Sequence, residues 1–213
     1  TYIGVLFFAA AFAAVCVTPA GPLANLFLFI ISLVGFVVSV YSIGYVHDRK
    51  GLYWFFLLLT FASLAGIVST SDTASMFGYW ELMTFASYFL VVHDRNAKAL
   101  SAGLKYYVMC AGGAIFMLPG LLALGVFAIE PGIALQFPFW FKAGLFLCLI
   151  GFGVKAGLVP LQAWLPDAHP AAPSSVSAPL SGIITKTGIF GIVSVIIIGV
   201  GSAEHEIPGL LGL

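Results

Sequence analysis

The class of fold is decided by residues 1–46, which read TYIGVLFFAAAFAAVCVTPAGPLANLFLFIISLVGFVVSVYSIGYV and contain no Asp, Glu, Lys or Arg. Uncharged runs also cover residues 51–71 and 106–129. Each run is close to or above the roughly 20 residues that a membrane helix needs. The runs are continuous and lack the apolar and polar alternation of barrel strands. We therefore predict an all-α, polytopic membrane helix bundle.

The composition of the whole chain leads to the same class. Of its 213 residues, 62% are hydrophobic and 8% are charged, whereas soluble proteins carry about 25% charged residues. A soluble globular domain is excluded, and the lipid bilayer is the expected surrounding. The formal net charge is +0 and there is no basic run, so nucleic acid is not expected as a partner.

Turn residues and charged residues divide the chain into about seven predicted transmembrane helices. We also expect broken helices near Pro160 and Pro179, because proline lacks the N–H group of a helical hydrogen bond. The predicted spans are residues 2–17, 23–45, 52–70, 73–92, 101–127, 138–159 and 173–200.

The loops between these spans differ in charge. Alternation of the spans places four basic residues on one face and Lys142 on the other, and the positive-inside rule assigns the first face to the cytoplasm. The four residues of that face are Arg49, Lys50, Arg95 and Lys98.

Four ionisable residues fall within the predicted spans, namely Glu81, Lys105, Lys155 and Lys186. A charge at the centre of a membrane helix costs about 2.5 to 3.5 kcal/mol, and such residues usually face a bundle interior or a water-filled path. Burial lowers the proton affinity of a lysine, which lets it accept and release a proton near neutral pH. We therefore predict proton translocation by these four residues. The alternative is that they form buried salt bridges that only fix the helix register.

Loop histidines and cysteines complete the set of candidate groups. His169 lies between Lys155 and Lys186 in a proline-rich stretch, and an imidazole there is a possible proton relay. A loop histidine without a role is the alternative. Cys110 and Cys148, like Cys16, occur singly in apolar sequence. We therefore expect no metal and no cofactor in this chain.

Two runs of sequence carry a family resemblance. The first is Trp80 to Val91, WELMTFASYFLV, and the second is Lys155 to Gly182, KAGLVPLQAWLPDAHPAAPSSVSAPLSG. Together with Lys186 they strongly resemble the antiporter-like, ion-translocating subunits shared by respiratory NADH dehydrogenase (complex I), multisubunit Na+/H+ antiporters and membrane-bound hydrogenases. The amino-acid sequence of both runs is most similar to the hydrogenase and formate hydrogenlyase branch.

The resemblance implies a role for each intramembrane charge. Glu81 matches a helix-borne glutamate of the family, and Lys105 resembles the lysine that pairs with it. Lys155 matches the central lysine of a broken helix. Lys186 matches the next basic residue toward the exit or the neighbouring half-channel.

The resemblance also implies a domain organisation. Subunits of the family contain two inverted helical repeats, and residues 52–200 match the first repeat. Residues 1–51 are then N-terminal transmembrane helices, and residues 201–213 a C-terminal loop. The second repeat is absent and the chain begins at Thr1 rather than Met, so we expect a fragment of a longer subunit. The alternative is a truncated subunit that a partner completes.

The expected function is translocation of protons, or of sodium, by a membrane subunit of a redox-driven pump or cation/proton antiporter. The sequence has no redox motif, so electron transfer is expected in peripheral redox subunits of a hydrogenase or NADH dehydrogenase type oxidoreductase. We expect other membrane subunits as partners and a bacterial or archaeal cytoplasmic membrane. One alternative is a structural membrane anchor for a redox enzyme. A retinal-type photoreceptor with a Schiff base on Lys186 is disfavoured, because no Asp lies within a mid-chain span to act as counter-ion.

Overall fold

The computed structural model describes residues 5–6, 8–10, 22–129 and 138–204, all of which outside the short connections are helical. The described residues contain no strand, which confirms the predicted all-α class. The helices are α1 (Pro22–Tyr45), α2 (Lys50–Ser69), α3 (Thr73–Val91), α4 (Ala97–Ile129), α5 (Pro138–Ala156), α6 (Leu165–Ala171), α7 (Ser174–Pro179), a π segment (Leu180–Ile184) and α8 (Thr185–Glu204).

The predicted spans that begin at residue 23 or later each coincide with a helix or, for the last, with the continuous path through α7, the π segment and α8. Among the described residues, five helical stretches are long and apolar enough to cross a membrane. The α3 helix, 19 residues long, carries Glu81 and is not among these five. The predicted span 2–17 lies largely outside the described residues.

Local capping residues define where two of the helices begin. Asp72 precedes α3, and its Oδ2 accepts a hydrogen bond from the Ser75 backbone N–H at 2.7 Å. Asn96 precedes α4 and accepts from the Ala99 N–H at 2.7 Å. Asp and Asn are favoured at this position because they satisfy N–H groups that have no partner within the helix.

The basic loops lie together, as the sequence predicts. The guanidinium of Arg49 donates a hydrogen bond to the His93 carbonyl at 3.3 Å. Arg49, His93 and Arg95 also line one small pocket. We call this end of the bundle the basic end. It holds an open cleft of about 400 Å³ between the α1–α2 and α3–α4 connections.

The two predicted helix breaks differ in the structure. At Pro160 the helix is interrupted, since α5 ends at Ala156 and α6 begins at Leu165. At Pro179 the chain stays helical but widens into the π segment, in which the Thr185 N–H donates to the Leu180 carbonyl five residues earlier. The predicted break at Pro179 is therefore a change of helix type: Pro179 has no N–H group for the α-helical hydrogen bond, and π-turns follow directly after it.

Small residues bring α4 and α5 close together. A Cβ atom at Gly120 would lie 2.7 Å from Cys148 Sγ and 2.8 Å from the Gly144 carbonyl oxygen. Small residues at such a crossing let helix backbones approach in a membrane. This contact holds α5, and with it Lys155, against α4.

We expect Gly120→Ala to destabilise the protein by about 1 to 3 kcal/mol, the usual cost of overpacking. The matched control is Gly112→Ala in the same helix, where a Cβ atom meets nothing within 4 Å. Gly112→Ala should be neutral or stabilising because alanine favours helix more than glycine does. Thermal unfolding of the protein in detergent measures both, and equal melting temperatures would contradict the close contact.

Candidate functional site

The end of α5 positions the central lysine. Gly157 adopts a left-handed φ of 71°, and the N–H groups of Leu158 and Gly157 bind the carbonyls of Gly153 and Val154 at 3.0 and 3.2 Å. This is a Schellman ending, which needs glycine at the left-handed residue. A Cβ atom at Gly157 would also collide with Leu165. The helix therefore stops one residue after Lys155, whose charge sits at the negative end of the α5 dipole.

Lys155 is enclosed by the bundle, with 1% of its surface exposed. Its Nζ donates hydrogen bonds to Thr84 Oγ1 at 2.9 Å and to the Tyr106 hydroxyl at 2.8 Å. It also lies 4.7 Å from the centre of the Tyr106 ring. A buried ammonium group is tolerated only with such polar partners. Thr84 on α3 and Tyr106 on α4 supply them.

The polar contacts continue away from Lys155. The Tyr106 hydroxyl forms a 2.6 Å hydrogen bond with Ser87 Oγ, and Ser87 in turn donates to the Met83 carbonyl at 2.6 Å. Hydroxyl groups both donate and accept hydrogen bonds. Lys155, Tyr106 and Ser87 therefore form an array in which a proton can pass between neighbouring groups; we call it the lysine array.

Glu81 lies close to this array on α3. It is half-buried, its Oε1 is enclosed, and no hydrogen-bond partner for that atom is present within the described part of the chain. Its carboxylate interacts electrostatically with Lys155. Glu81, Thr84 and Ser87 recur at three-residue intervals, which places them along one side of the helix.

Sequence reasoning missed Thr84, Ser87 and Tyr106. The three-residue spacing from Glu81 was a signal for the first two. Tyr106 had no comparable signal, because an aromatic residue in an apolar helix is most often a packing residue. Its burial against Lys155 depends on how α4 and α5 cross.

The predicted pairing of Lys105 with Glu81 is not found. Lys105 Nζ instead forms a 2.6 Å salt bridge with Asp167 Oδ2 on α6. Neighbouring residues of an α-helix point about 100° apart, so Lys105 and Tyr106 project in different directions. Tyr106 faces Lys155, and Lys105 faces α6. Asp167 was missed because its partner comes from a helix 62 positions away in sequence.

His169 and Lys186 form a separate group. His169 Nδ1 lies 2.9 Å from Ser177 Oγ. Burial and the positive charge of Lys186 both lower the pKa of His169, so its imidazole is neutral at pH 7. Lys186 is exposed on the surface of this chain and donates to the Ser181 carbonyl at 2.9 Å. The role of His169 as a proton relay stays a prediction.

The structure thus places the predicted site residues in three groups. Lys155 lies near Glu81, Lys105 binds Asp167, which was not predicted, and Lys186 lies near His169. Among residues 22–129 and 138–204, no cluster of three or more His, Cys, Asp or Glu side chains is placed to hold a metal ion. Of the three lysines, Lys155 is the one whose Nζ donates hydrogen bonds to hydroxyl groups of two neighbouring helices.

Comparison with known families gives two matches. Residues 70–207 match the family described as NADH:quinone oxidoreductase/Mrp antiporter, transmembrane. Residues 20–56 match the N-terminus of chain 5 of NADH-ubiquinone oxidoreductase (complex I). The first match covers α3 to α8, and therefore all of the candidate site residues.

Similar proteins include Hydrogenase-4 component B of Escherichia coli, 32% identical over 182 residues that cover 78% of this chain and 26% of that protein. The chloroplastic NAD(P)H-quinone oxidoreductase chain 4 of Saccharum officinarum is 31% identical, covering 78% of this chain and 35% of that one. A chain of the membrane-bound sulfane sulfur reductase, an archaeal respiratory membrane complex, superimposes with a TM-score of 0.79 at 25% identity. That superposition covers 92% of this chain and 46% of the other.

Proposed function

The chain belongs to the NADH:quinone oxidoreductase/Mrp antiporter transmembrane family, and from this premise we propose that it moves protons through a membrane by way of Lys155. The translocating unit is a subunit of a larger membrane complex. This chain spans 26% to 46% of the length of the similar proteins described above, so the path through it is one part of the full route.

The observation that carries the proposal is the burial of Lys155 among hydroxyl groups, with the Glu81 carboxylate in electrostatic range. A buried charge usually stabilises a protein no more than a well-packed apolar residue would. Stability alone therefore does not account for a lysine at this position. The hydroxyl partners accept hydrogen bonds from the ammonium form and can each donate one to the lone pair of the neutral amine. They therefore suit a group that exchanges protons.

Glu81 supplies the control over that exchange. A nearby carboxylate favours the protonated lysine, and loss of the negative charge favours release of the proton. Glu81 Oε1 has no hydrogen-bond partner among the described residues, so a change in its distance from Lys155 breaks no hydrogen bond of that atom within them. Protonation of Lys155 can thereby be coupled to events elsewhere in a complex.

The similar proteins support a proposal for the partners and the surroundings. Hydrogenase-4 component B supports the hydrogenase branch of the family, and we propose that peripheral subunits carry out the redox chemistry. We propose other membrane subunits as neighbours and a bacterial or archaeal cytoplasmic membrane as the location. A lysine-based path favours protons over sodium, since the ammonium group binds and releases H+ and has no lone pair for a metal cation while protonated.

The test is ion movement in inverted membrane vesicles that contain the complete complex. An acridine dye reports the proton gradient after addition of the electron donor of the complex, and a sodium pulse tests for exchange. We expect dye quenching that depends on the donor. Donor oxidation at full rate with neither a dye response nor a sodium response would instead support the structural anchor.

We expect Tyr106→Phe to slow proton movement about fivefold to tenfold, which corresponds to about 1 to 1.4 kcal/mol. The change removes the hydroxyl that joins Lys155 to Ser87 and leaves the ring packed against Trp164 at 4.8 Å. The same vesicle assay measures it. Tyr107→Phe is the control, because Tyr107 contacts Tyr88 rather than the lysine array; equal rates in the two variants would exclude a role for the Tyr106 hydroxyl.

A further inference from the structure

A second cleft lies next to the lysine array. It has a volume of about 370 Å³ and is lined by residues of α4 and α6, including Lys98, Ser101, Lys105 and Asp167. Lys105 and Asp167 are 44% and 51% exposed, so their salt bridge faces the open space. Tyr106, the residue that follows Lys105, is fully buried and binds Lys155. Lys105 and Tyr106 are consecutive residues of α4, so this one helix borders the cleft and contributes to the array.

Trp164, which directly precedes α6, covers part of the lysine array. Its side chain is fully buried and packs on the Tyr106 ring with 4.8 Å between ring centres. Its Nε1 donates a hydrogen bond to the Val154 carbonyl at 2.8 Å. In this arrangement Lys155 has no access to water, because 1% of its surface is exposed. A lysine that exchanges protons requires a second arrangement in which this cover moves.

The Lys105–Asp167 salt bridge holds α6, and with it Trp164, in place. The bridge joins α6 to α4 three residues beyond Trp164 along the chain. Because both side chains are about half exposed, the pair is worth little to stability and opens readily. A weak, water-accessible pair of this kind is suited to reversible attachment rather than to building the fold.

We propose that this cleft is the aqueous port of the lysine array, and that Asp167 is the positioning residue that holds α6 and Trp164 over it by binding Lys105. When the salt bridge opens, water from the cleft reaches the Tyr106 hydroxyl and protons exchange with Lys155. When it forms, the array is closed from this side. The inference rests on the proposed function of Lys155 and adds the route by which protons arrive.

Cys110 offers a readout of the port that is independent of transport. It lies one helical turn beyond Tyr106 and is 3% exposed. A small thiol reagent reaches it only when the cover has moved. Mass spectrometry locates the label on Cys110 and separates it from labels on other cysteines.

The experiment uses the complete complex in membranes, with the variants Asp167→Asn and the charge exchange Lys105→Asp with Asp167→Lys. We expect Asp167→Asn to raise the labelling rate of Cys110 about twofold to fivefold, the range that an exposed salt bridge allows, and to change proton movement by a similar factor. The charge exchange should restore both toward the original values, since the attraction is re-formed. Lys50→Gln is the control: Lys50 is exposed at the start of α2 and does not line the cleft, so both readouts should stay unchanged.

Unchanged Cys110 labelling in Asp167→Asn would overturn the port, as would a failure of the charge exchange to restore labelling. Proton movement in a Lys155→Met variant, measured alongside, separates this result from failure of the proposed function. If Lys155→Met abolishes proton movement while Asp167→Asn leaves labelling unchanged, only the port is wrong. If Lys155→Met leaves proton movement intact, the function of Lys155 itself is wrong.

Discussion

Replacing Lys155 by Met should abolish proton movement, with a loss of at least about a hundredfold, while the complex still assembles. Methionine fills similar space but has no proton to exchange. The fold should persist because the polar partners of Lys155 have other hydrogen bonds: Thr84 donates to the Trp80 carbonyl at 2.9 Å, and Tyr106 binds Ser87. A hundredfold loss corresponds to about 2.7 kcal/mol. Dye quenching in inverted vesicles measures the effect.

Two further variants test whether the loss of transport requires a titrating group at position 155. Lys142→Met is the matched control, since Lys142 is exposed near the start of the same helix, and it should keep the original rate. Lys155→Arg retains a positive charge, but a guanidinium does not release its proton. It should therefore lose transport as fully as Lys155→Met. Transport at the original rate in Lys155→Arg would show that the site needs a charge and not a titrating group.

Glu81→Gln should reduce proton movement by about tenfold or more, equivalent to about 1.4 kcal/mol. The amide keeps the shape of the side chain and removes the negative charge that interacts with Lys155. Without that charge the lysine binds its proton less tightly and takes it up less readily. The vesicle assay measures the initial rate of quenching.

The control for Glu81→Gln is Asp72→Asn, the same acid-to-amide change on the same helix. Asp72 caps α3 through Ser75, and Asn caps a helix about as well as Asp. We expect no change in rate from Asp72→Asn. Equal effects of the two variants would indicate that α3 responds to any loss of charge and that Glu81 has no special relation to Lys155.

The helices were predictable because hydropathy and turn residues are local signals. The break after Ala156 followed from Pro160, and the grouping of Arg49 with Arg95 followed from alternation of the spans. The burial of Lys155 was expected from the cost of a charge in lipid, whereas Glu81 was expected to pair with Lys105. In each case a few neighbouring residues contain the information.

The contacts that sequence could not give are those made between distant segments. Lys105 is attached to Asp167 instead of Glu81 because α6 folds back along α4 after the break. Tyr106 meets Lys155 because Gly120 and other small residues let α4 and α5 approach closely. These outcomes depend on helix crossing and on the direction of each side chain, which neither hydropathy nor spacing specifies.

The π segment Leu180–Ile184 has a consequence for how sequences of this family are aligned and engineered. A π-turn takes one more residue than an α-turn to advance along the axis, so it acts as a one-residue insertion within a helix. Deleting one residue there would let the segment return to an α-helix with the following residues in place, whereas the same deletion elsewhere in the helix would rotate everything that follows by about 100°. A homologue without the extra residue can therefore put its basic residue at the same point in space if the alignment has a single gap at this segment. An alignment that crosses this segment should place its gap so that matched residues lie at the same rotation about the helix axis.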